Sequence, residues 1–273
     1  MNRADPPLVL VRGGGDLGTG AARRLFLAGL AVLVTERPDP WCVRRRTAFA
    51  VALAEDHVSV EGVEARRFAV DELDRWRRDG CVAVVAHTDS PCPPPLQPDL
   101  LVDARVLKRG HDTRIDDARW VVGVGPGFRP GRDCHAAVET VRGHDLGRVL
   151  YDGETLPFDR EPGELGGARS ARVLRAPGPG RFTAAVAIGD RIARGARVGA
   201  VGGQAVRTPI GGVVRGLIAE GRRVRPEQKV GDIDPRDDPS LCESLSDKAN
   251  AVGGGVVEAA LAFLAGRANP QGP

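Results

Sequence analysis

The stretch VLVRGGGDLGTGAARRLFLAGLAVLVTER, Val9 to Arg37, decides the fold class. An apolar strand leads into Gly13-x-Gly15-x-x-Gly18, a helix follows, and a second buried strand ends on Glu36. In dinucleotide-binding folds this glycine spacing opens the first helix, and an acid about 20 residues further on binds the ribose. The stretch therefore predicts a Rossmann-like parallel sheet. Its three glycines and Glu36 become candidate cofactor-binding residues.

Asp16 stands inside this loop, where a phosphate would sit. A carboxylate at a helix N-terminus is stabilised by the helix dipole and can cap the first amides, but its own charge then repels a phosphate. Three interpretations stay open. Asp16 caps the helix and makes the loop structural, it binds a metal or a cationic group, or it turns aside while the ligand binds. Under the second and third interpretations, Asp16 is a cofactor-binding candidate.

Strand and helix patterns alternate over residues 1–125, which implies a parallel α/β sheet with covered faces. A hairpin turn is predicted at Glu61-Gly62, between two short alternating runs. The predicted strands are Leu8–Arg12, Ala31–Thr35, Val82–Val85, Leu100–Asp103 and Trp120–Val124, and the predicted helices are Leu17–Ala28 and residues 71–78.

The composition is that of a soluble globular protein, with 42% hydrophobic and 27% charged residues. The net charge is only +3 and acids punctuate the arginines throughout, so we expect no basic binding patch and no nucleic-acid partner. The N-terminal residues lack the pattern of a signal peptide, and no apolar run approaches the roughly 20 residues of a spanning helix. Five scattered cysteines without a Cys-x-x-Cys pair fit a reducing compartment. We therefore expect a cytoplasmic protein with no membrane contact.

An internal repeat marks the second half of the chain. Residues 188–201 (IGDRIARGARVGAV) match residues 220–233 (EGRRVRPEQKVGDI), with TPIGGVV between them. Two hairpins around such a link resemble the flattened β-barrel, or barrel sandwich, of biotinyl and lipoyl carrier domains. Those carriers need a lysine on an exposed hairpin, and none stands near Gly203-Gln204-Ala205. A structural or docking module is therefore expected.

Three regions follow from these patterns. We expect a Rossmann-like α/β domain over 1–150, the barrel without its carrier lysine over 151–240, and a C-terminal helix over 241–273 that packs on the first domain. The tail predicts a cap at Ser246 and an apolar helix at Val256–Leu264. Gly253–Gly255, just before that helix, are interpreted as a packing turn or as a backbone anion site.

The densest polar cluster lies within Gly123–Val149. If residues 135–139 are helical, His135 and Glu139 share one face at i, i+4. That pair could bind a divalent metal or act as acid and base, and His144 would complete a three-ligand metal site with an open position. Cys134 could be a nucleophile or a sulfur or selenium acceptor. The candidate catalytic residues are Cys134, His135 and Glu139, and the candidate metal ligands are His135, Glu139 and His144.

A structural interpretation of the same cluster stays open. Glu139 and Arg142 would then form a solvated ion pair, and the histidines would hydrogen-bond the loop backbone. Adjacent helical residues point about 100° apart, so Cys134 and His135 need not touch. The irregular loop that follows the strand adds Gly125, Gly127 and Arg142 to the cofactor-binding candidates.

Arginines follow the second strand at positions 44–46. Ligands of open α/β sheets lie at the carboxyl ends of the strands, and arginine forks suit phosphate or carboxylate groups. Arg44 and Arg45 are therefore cofactor-binding candidates, although three arginines in a row also fit a solvated helix face. Asp103, Lys108 and Thr113 stand at the end of another strand, and Asp103 with Lys108 is either a site pair or a loop salt bridge.

Several of these stretches together resemble the selenium-dependent molybdenum hydroxylase system proteins, the YqeB-type accessory or maturation family. The resemblance covers nearly the whole chain in order, and in it Asp16 belongs to the glycine motif. It implies a maturation role for molybdenum hydroxylases, through the molybdenum cofactor or its sulfur or selenium ligand, with a hydroxylase subunit as partner. Its segments are VRGGGDLGTGAARRL, VTERPDPWCVRRRTAF, VEGVEARR, LVDARVLKR, VGVGPGFRPGRDCHAAVETVRGHDLGRVLYDG, VLRAPGPGRF, TPIGGVVRGLI and SDKANAVGGGVVEAAL.

The resemblance leaves the ligand open between a molybdopterin-type cofactor and a nucleotide, with a divalent metal as a further candidate. Two other functions stay in view. The glycine loop and Glu36 also fit an NAD(P)-dependent oxidoreductase, in which Glu36 would favour NAD by repelling a 2′-phosphate. A non-catalytic scaffold would instead dock a hydroxylase subunit through the barrel.

Overall fold

The computed structural model describes residues 6–107, 110–157 and 163–266. The chain divides into two compact units. Unit 1 consists of Met1–Pro40, Ala48–Phe158 and Leu245–Pro273, and unit 2 consists of Trp41–Thr47 and Asp159–Ser244. The C-terminal helix therefore belongs to the same unit as the first strands, and a short segment that follows the second strand belongs to unit 2.

Unit 1 is a mixed α/β structure built on a large sheet. Its strands are β1 (Leu8–Arg12), β2 (Ala31–Glu36), β3 (His57–Val60), β4 (Val63–Arg67), β5 (Val82–Ala86), β6 (Leu100–Asp103), β7 (Trp120–Val124), β8 (Ala136–Val138) and β9 (Val149–Leu150). Its helices are α1 (Asp16–Leu27), α2 (Ala52–Glu55), α3 (Leu73–Trp76) and α4 (Asp247–Leu264), with short 3₁₀ turns at Phe49–Val51 and Val70–Glu72.

The sheet of unit 1 has nine strands in the order β3-β4-β5-β2-β1-β6-β7-β8-β9. Neighbours from β4 to β8 are parallel, and β3 and β9 add antiparallel edges. From β1 the chain passes to β2, then to the edge strand β3, and comes back inward through β4 to β5. It then crosses to the other side of β1 with β6. In open α/β sheets the crevice at such a reversal, outside the carboxyl ends of the strands, is where ligands bind.

Most predicted elements of unit 1 are confirmed, because β1, β6 and β7 have the predicted bounds and α1 and β2 differ by one residue. The predicted hairpin is also present, with Glu61 and Gly62 both at positive φ between β3 and β4. The helix predicted over 71–78 is present but shorter, as a 3₁₀ turn followed by α3. The helix on which a pairing of His135 with Glu139 depends does not form, because residues 136–138 are strand β8.

Glycines allow α1 and α4 to pack closely on one face of the sheet. A Cβ on Gly20 would lie 2.5 Å from the Ala249 carbonyl oxygen, and one on Gly253 would lie 2.6 Å from the Gly20 carbonyl oxygen. Gly253–Gly255 lie inside α4, which begins after the cap residue Ser246, so the expectation that they precede the helix was wrong. Of the two interpretations, close packing is the one that Gly253 fulfils.

Unit 2 contains two four-stranded β-sheets. The strands are β10 (Val173–Arg175), β11 (Gly180–Ala184), β12 (Arg191–Ile192), β13 (Arg197–Val201), β14 (Gln204–Arg207), β15 (Gly212–Leu217), β16 (Arg223–Val224) and β17 (Lys229–Asp234), with 3₁₀ turns at Arg45–Thr47, Ser170–Arg172 and Pro239–Cys242. The sheet orders are β10-β17-β15-β12 and β14-β13-β11-β16. One apolar core in this unit includes Phe182, Val214 and Ile233.

The sequence repeat corresponds to a structural repeat. Strands β12 and β13 lie in the first copy, β16 and β17 lie in the second, and Arg191 and Arg223 open the equivalent strands. The glycines that precede them, Gly189 and Gly221, both have positive φ. The prediction that each copy is a hairpin was wrong, because the two strands of a copy belong to different sheets. Within the described residues, no helix is both long enough and apolar enough to cross a membrane.

Candidate functional site

The loop between β1 and α1 lies at the reversal point of the sheet, and each motif glycine has a separate structural role. Gly13 has φ +97°, which makes the tight turn out of β1. A Cβ on Gly18 would lie 1.8 Å from the Gly13 carbonyl oxygen, so this position needs glycine for helix–strand packing. A Cβ on Gly15 would meet no atom within 4 Å. These are the turn, packing and ligand-approach roles of a dinucleotide-binding loop.

Glu36 closes one side of this loop. Its Oε2 accepts the backbone N–H of Gly14 at 3.1 Å, and its Oε1 accepts that of Arg37 at 2.9 Å. The carboxylate at the end of β2 is therefore brought to the glycine loop, as the sequence spacing predicts for a ribose-binding acid. The remaining contacts of the loop are structural, because the Gly14 carbonyl accepts from the Ala50 N–H and the Thr19 hydroxyl.

Asp16 is the first residue of α1, and Gly15 holds the N-cap position, so the expectation of Asp16 as the cap was wrong. The Ser246 hydroxyl donates to Asp16 Oδ2 at 3.2 Å and accepts the Ala249 N–H at 3.0 Å as the cap of α4. The N-termini of α1 and α4 thus meet through one serine. The Asp16 carboxylate therefore has a hydrogen-bond partner at the start of α4.

Arg142 reaches the same end of α4. Its guanidinium forms a two-pronged ion pair with Asp247, with an Nη2–Oδ1 distance of 2.9 Å. The expected pair between Glu139 and Arg142 does not form. The reason is that Glu139 is buried and uses its carboxylate to accept three backbone N–H groups, from Thr140 (2.6 Å), Val141 (2.7 Å) and Leu156 (2.7 Å).

The proposed pairing of His135 with Glu139 was wrong, because the helix on which it depended is a strand. His135 precedes β8 and Glu139 follows it, so the two side chains lie at opposite ends of the strand. At roughly 3.3 Å per residue, four positions separate them by about 13 Å. His144 lies on an exposed turn. Among the described residues, no group of three His, Cys, Asp or Glu side chains could hold a metal ion.

The side chains of Cys134 and His135 are held in structural contacts. Cys134 is fully buried, and burial raises the pKa of its thiol to about 12, so little of the nucleophilic thiolate forms near neutral pH. His135 Nδ1 accepts the Val121 N–H at 3.0 Å, and its ring stacks on Trp120 with centroids 4.6 Å apart. Burial lowers the pKa of His135. Neither side chain has the environment of a catalytic group.

The irregular loop after β7 is held by hydrogen bonds to two other segments of the chain. Gly125 and Gly127 both have positive φ, and the Gly125 carbonyl accepts the Thr155 hydroxyl at 2.6 Å. The Gly127 carbonyl lies 3.2 Å from His111 Nε2, and the His111 ring stacks on Phe128. His111 was not singled out from the sequence. No spacing pattern connects it to this loop, which the fold brings to it from 16 residues away.

The arginines at 44–46 belong to unit 2 and hold that unit together. Arg44 is buried and donates to the carbonyls of Leu241 (3.3 Å) and Ser244 (2.6 Å), and Arg45 donates to the Leu217 carbonyl at 2.9 Å. Arg46 pairs with Glu243. The solvated helix face was wrong for these residues, and the contacts of Arg44 and Arg45 are those of structural residues.

A network of charged and polar side chains lies at the ends of β1 and β6. The sequence pattern singles out two of its members, Asp103 and Thr113, but not the arginines that bind them. Buried Arg12 donates to Asp112 (3.1 Å) and to Thr113, whose hydroxyl donates to buried Asp103 at 2.7 Å. Arg105 donates twice to Asp103, at 3.0 and 2.6 Å. The network joins the two strands on either side of the reversal.

Electrostatics keeps this network charged. Burial alone would raise the pKa of Asp103, but the hydrogen bonds and charge of Arg105 hold it below its usual value. Hydrogen bonds from Arg105 also lower the pKa of Asp112. Asp103 thus has Arg105 and Thr113 as partners, and Lys108, its expected partner, lies outside the described residues. The one sign of the arginine partners in the sequence is Arg12, a charged residue in the otherwise apolar strand β1.

Comparisons with known proteins give one informative match. The chain is similar to YqeB. Over 258 residues it is 38% identical to "Uncharacterized protein YqeB" of Escherichia coli (strain K12). The aligned region covers 94% of this chain and 48% of that protein. The chain therefore spans about half the length of this curated relative. The match supports the YqeB-type name suggested by the sequence motifs.

The other comparisons carry no argument. No protein-family model matches the chain. Among solved structures, an aspartoacylase family protein from Mesorhizobium loti aligns over 84% of this chain and 85% of its own, at 13% identity and a TM-score of 0.25. A TM-score this low supports no conclusion about fold or activity.

Proposed function

We propose that unit 1 binds a phosphate-bearing small molecule, either a molybdopterin-type cofactor or a nucleotide, over the Gly13–Gly18 loop. The observation that carries this proposal is the open space in front of Gly15, since a side chain there would meet no atom within 4 Å. The loop also lies at the strand-order reversal, where Rossmann-like sheets bind ligands. The backbone N–H groups at the start of α1 and the dipole of this helix would face the phosphate.

Asp16 is compatible with this ligand because of its hydrogen bond to Ser246. A carboxylate directed at the loop would repel a phosphate, but Asp16 Oδ2 accepts from the Ser246 hydroxyl at the start of α4. The positive ends of two helix dipoles, those of α1 and α4, therefore act on this carboxylate. Together they offset the negative charge that Asp16 brings to the loop.

The proposed biological role is that of an accessory or maturation factor for molybdenum hydroxylases, with a hydroxylase subunit as partner. This part of the proposal rests on the sequence motifs shared with the selenium-dependent molybdenum hydroxylase system family. Work on the molybdenum cofactor or its sulfur or selenium ligand would then take place at the glycine loop. Cys134 is not assigned that chemistry, because burial raises its pKa to about 12.

An NAD(P)-dependent oxidoreductase is the second candidate function, and Glu36 favours it. Glu36 Oε2 lies 3.1 Å from the Gly14 nitrogen, at the place where an acid binds ribose hydroxyls in dinucleotide folds. Its charge would repel a 2′-phosphate, so NAD would bind more tightly than NADP. A docking scaffold without small-molecule binding is the third candidate.

For unit 2 we propose the flattened barrel of biotinyl and lipoyl domains, used as a docking module. The two four-stranded sheets support this shape, as does the repeat in which each copy gives one strand to each sheet. The turn between β13 and β14 consists of Gly202 and Gly203, with no lysine on either strand to carry a swinging arm.

Native mass spectrometry with elemental analysis tests the proposal, on protein purified from its own host under reducing conditions. A bound pterin or nucleotide is the expected result, and molybdenum or selenium in the same preparation would support the maturation role. Bound NAD without either element would favour the oxidoreductase. A ligand-free mass that stays unchanged after addition of NAD, AMP and cofactor released from a purified hydroxylase would contradict the binding proposal and leave the scaffold.

A further inference from the structure

The charge of the chain is unevenly divided between its two units. Unit 2 carries 18 arginine and lysine residues against 11 aspartate and glutamate residues, a formal net charge of +7. The rest of the chain carries 21 against 25, a net charge of −4, although the whole chain stands at only +3. The even spread of arginine that the sequence suggests is therefore misleading. Unit 2 is a basic module.

Four arginines of unit 2 lie in opposed pairs on the sheet β14-β13-β11-β16. Arg181 on β11 stands directly opposite Arg223 on β16, and Arg197 on β13 stands directly opposite Arg207 on β14. All four side chains are exposed. Directly opposed residues point to the same side of a sheet, and the residues next to these four along their strands are buried in the core of unit 2. Those buried neighbours are Phe182, Val198, Val206 and Val224. The four arginines therefore share the outer face, which we name the arginine face.

No carboxylate of the described residues neutralises these four arginines. The side chains of Arg197 and Arg223 make no hydrogen bond or ion pair with any described residue. The side chains of Arg181 and Arg207 donate only to neutral main-chain carbonyls, those of Gly221 and Gly195 at 2.9 Å each. Glu220 accepts the Ala184 N–H at 2.6 Å and forms no ion pair with any of the four arginines. Like charges directly opposite one another destabilise a sheet. An anion placed over the face would reverse that repulsion.

Small residues separate the two arginine pairs. Thr183, Ala200 and Ala205 form one row across β11, β13 and β14 on the same outer face. From strand geometry, the pairs are displaced by about 13 Å along the strands and about 10 Å across them. A single phosphate cannot bridge that diagonal. The face instead suits an extended surface that presents several anionic groups.

We propose that the arginine face docks an acidic surface of a partner protein, with aspartate and glutamate carboxylates bound by the arginine forks. Guanidinium groups match carboxylates in two-pronged geometry. A nucleic acid is the weaker fit, because the row between the pairs offers no aromatic side chain on which a base could stack. This inference is independent of the ligand at the glycine loop, which lies in unit 1.

Fluorescence anisotropy of a labelled oligoglutamate tests the proposal on the full chain. The wild type is expected to bind, with affinity that falls as salt rises. The double variant Arg197→Gln/Arg223→Gln is expected to bind about tenfold more weakly, because exposed ion pairs are individually modest and two of them are removed. The matched control Arg175→Gln/Arg191→Gln removes two exposed arginines from the other sheet of unit 2 and is expected to bind like the wild type.

Thermal unfolding of the ligand-free variants separates docking from folding. Removal of Arg197 and Arg223 relieves cross-strand repulsion, so the Tm is expected to stay equal or rise while oligoglutamate binding falls. Equal weakening in both double variants would overturn the proposal, since only overall charge would matter. Tighter binding of a DNA duplex of matched charge, or no oligoglutamate binding at low salt, would overturn it as well.

Discussion

The glycine loop at Gly13–Gly18 and the polar cluster at 123–149 both predict a site from sequence, but only the loop has the local geometry on which its prediction depends. The loop signal depends on backbone requirements, and the position that must stay open, Gly15, is open. The cluster signal depends on side chains facing one another on a helix, and the residues between His135 and Glu139 form a strand. A motif read from backbone geometry thus depends less on distant parts of the chain than a motif read from side-chain spacing.

The largest effect on stability is expected for Gly18→Ala. Its Cβ would lie 1.8 Å from the Gly13 carbonyl oxygen, so helix and strand must separate. We expect a loss of about 3 kcal/mol or more in the free energy of unfolding, measured by urea denaturation. Gly254→Ala is the control, because a Cβ there meets no atom within 4 Å. A Gly18→Ala protein as stable as the control would contradict the described packing of this loop.

Within the polar cluster, Glu139→Gln is expected to be the most damaging change. The buried carboxylate accepts three backbone N–H groups, and an amide would replace one acceptor by a donor. We expect a loss of about 2–3 kcal/mol in chemical denaturation, since hydrogen bonds to a charged group are worth about 1.5–3 kcal/mol.

Arg142→Gln is the matched change at the exposed end of the same cluster. Its partner Asp247 is exposed, so we expect a loss below about 1 kcal/mol. Equal losses for Glu139→Gln and Arg142→Gln would break the distinction between a structural carboxylate and a surface ion pair.

The burial of Cys134 predicts how the free energy of unfolding depends on pH. Burial raises its folded-state pKa from 9.0 to about 12, so the folded state favours the neutral thiol. The stabilisation is fully present below pH 9 and is lost as pH rises from 9 toward 12, with a slope of at most about 1.4 kcal/mol per pH unit. In denaturation curves at several alkaline pH values, Cys134→Ala should flatten this decline. Rapid alkylation of Cys134 in the folded protein at neutral pH would contradict its burial.

The smallest effect is expected at His144. It lies exposed on a turn and belongs to no metal-binding group among the described residues. His144→Ala should change the free energy of unfolding by no more than about 0.5 kcal/mol. Zinc titrated into the wild type and the variant, followed by elemental analysis after dialysis, should give the same metal content. A metal bound only by the wild type would restore the three-ligand hypothesis.

The sequence predicted what local patterns control. The bounds of β1, β6 and β7, the hairpin at Glu61-Gly62 and the place of Glu36 all follow from hydrophobic periodicity and turn chemistry. The contacts between distant segments could not be predicted in the same way. Ser246 reaches Asp16 across 230 positions, and Arg44 reaches Ser244 across 200. No single-sequence spacing rule connects such partners.

The polar cluster also shows why residue type alone misled. Glu139 has the right chemistry for a ligand, but the backbone N–H groups that it accepts belong to a local turn and to Leu156. Backbone groups carry no sequence signature, so this use of a carboxylate is invisible until the fold is known. The arginine face could not be predicted from the sequence for a related reason. Its arginines are paired by cross-strand register, which joins residues that are 10 and 42 positions apart.

The central claim, a ligand over the glycine loop, is tested most directly by Gly15→Ala. Gly15 has φ −73°, which alanine adopts without strain, and the added methyl would enter only the open space in front of the loop. Calorimetric titration with the ligand identified by native mass spectrometry should compare the wild type, Gly15→Ala and Gly254→Ala. We predict unchanged stability for Gly15→Ala, together with a dissociation constant at least about tenfold higher than that of the wild type and of Gly254→Ala, a loss of about 1.4 kcal/mol. Equal affinity in all three proteins would contradict the claim.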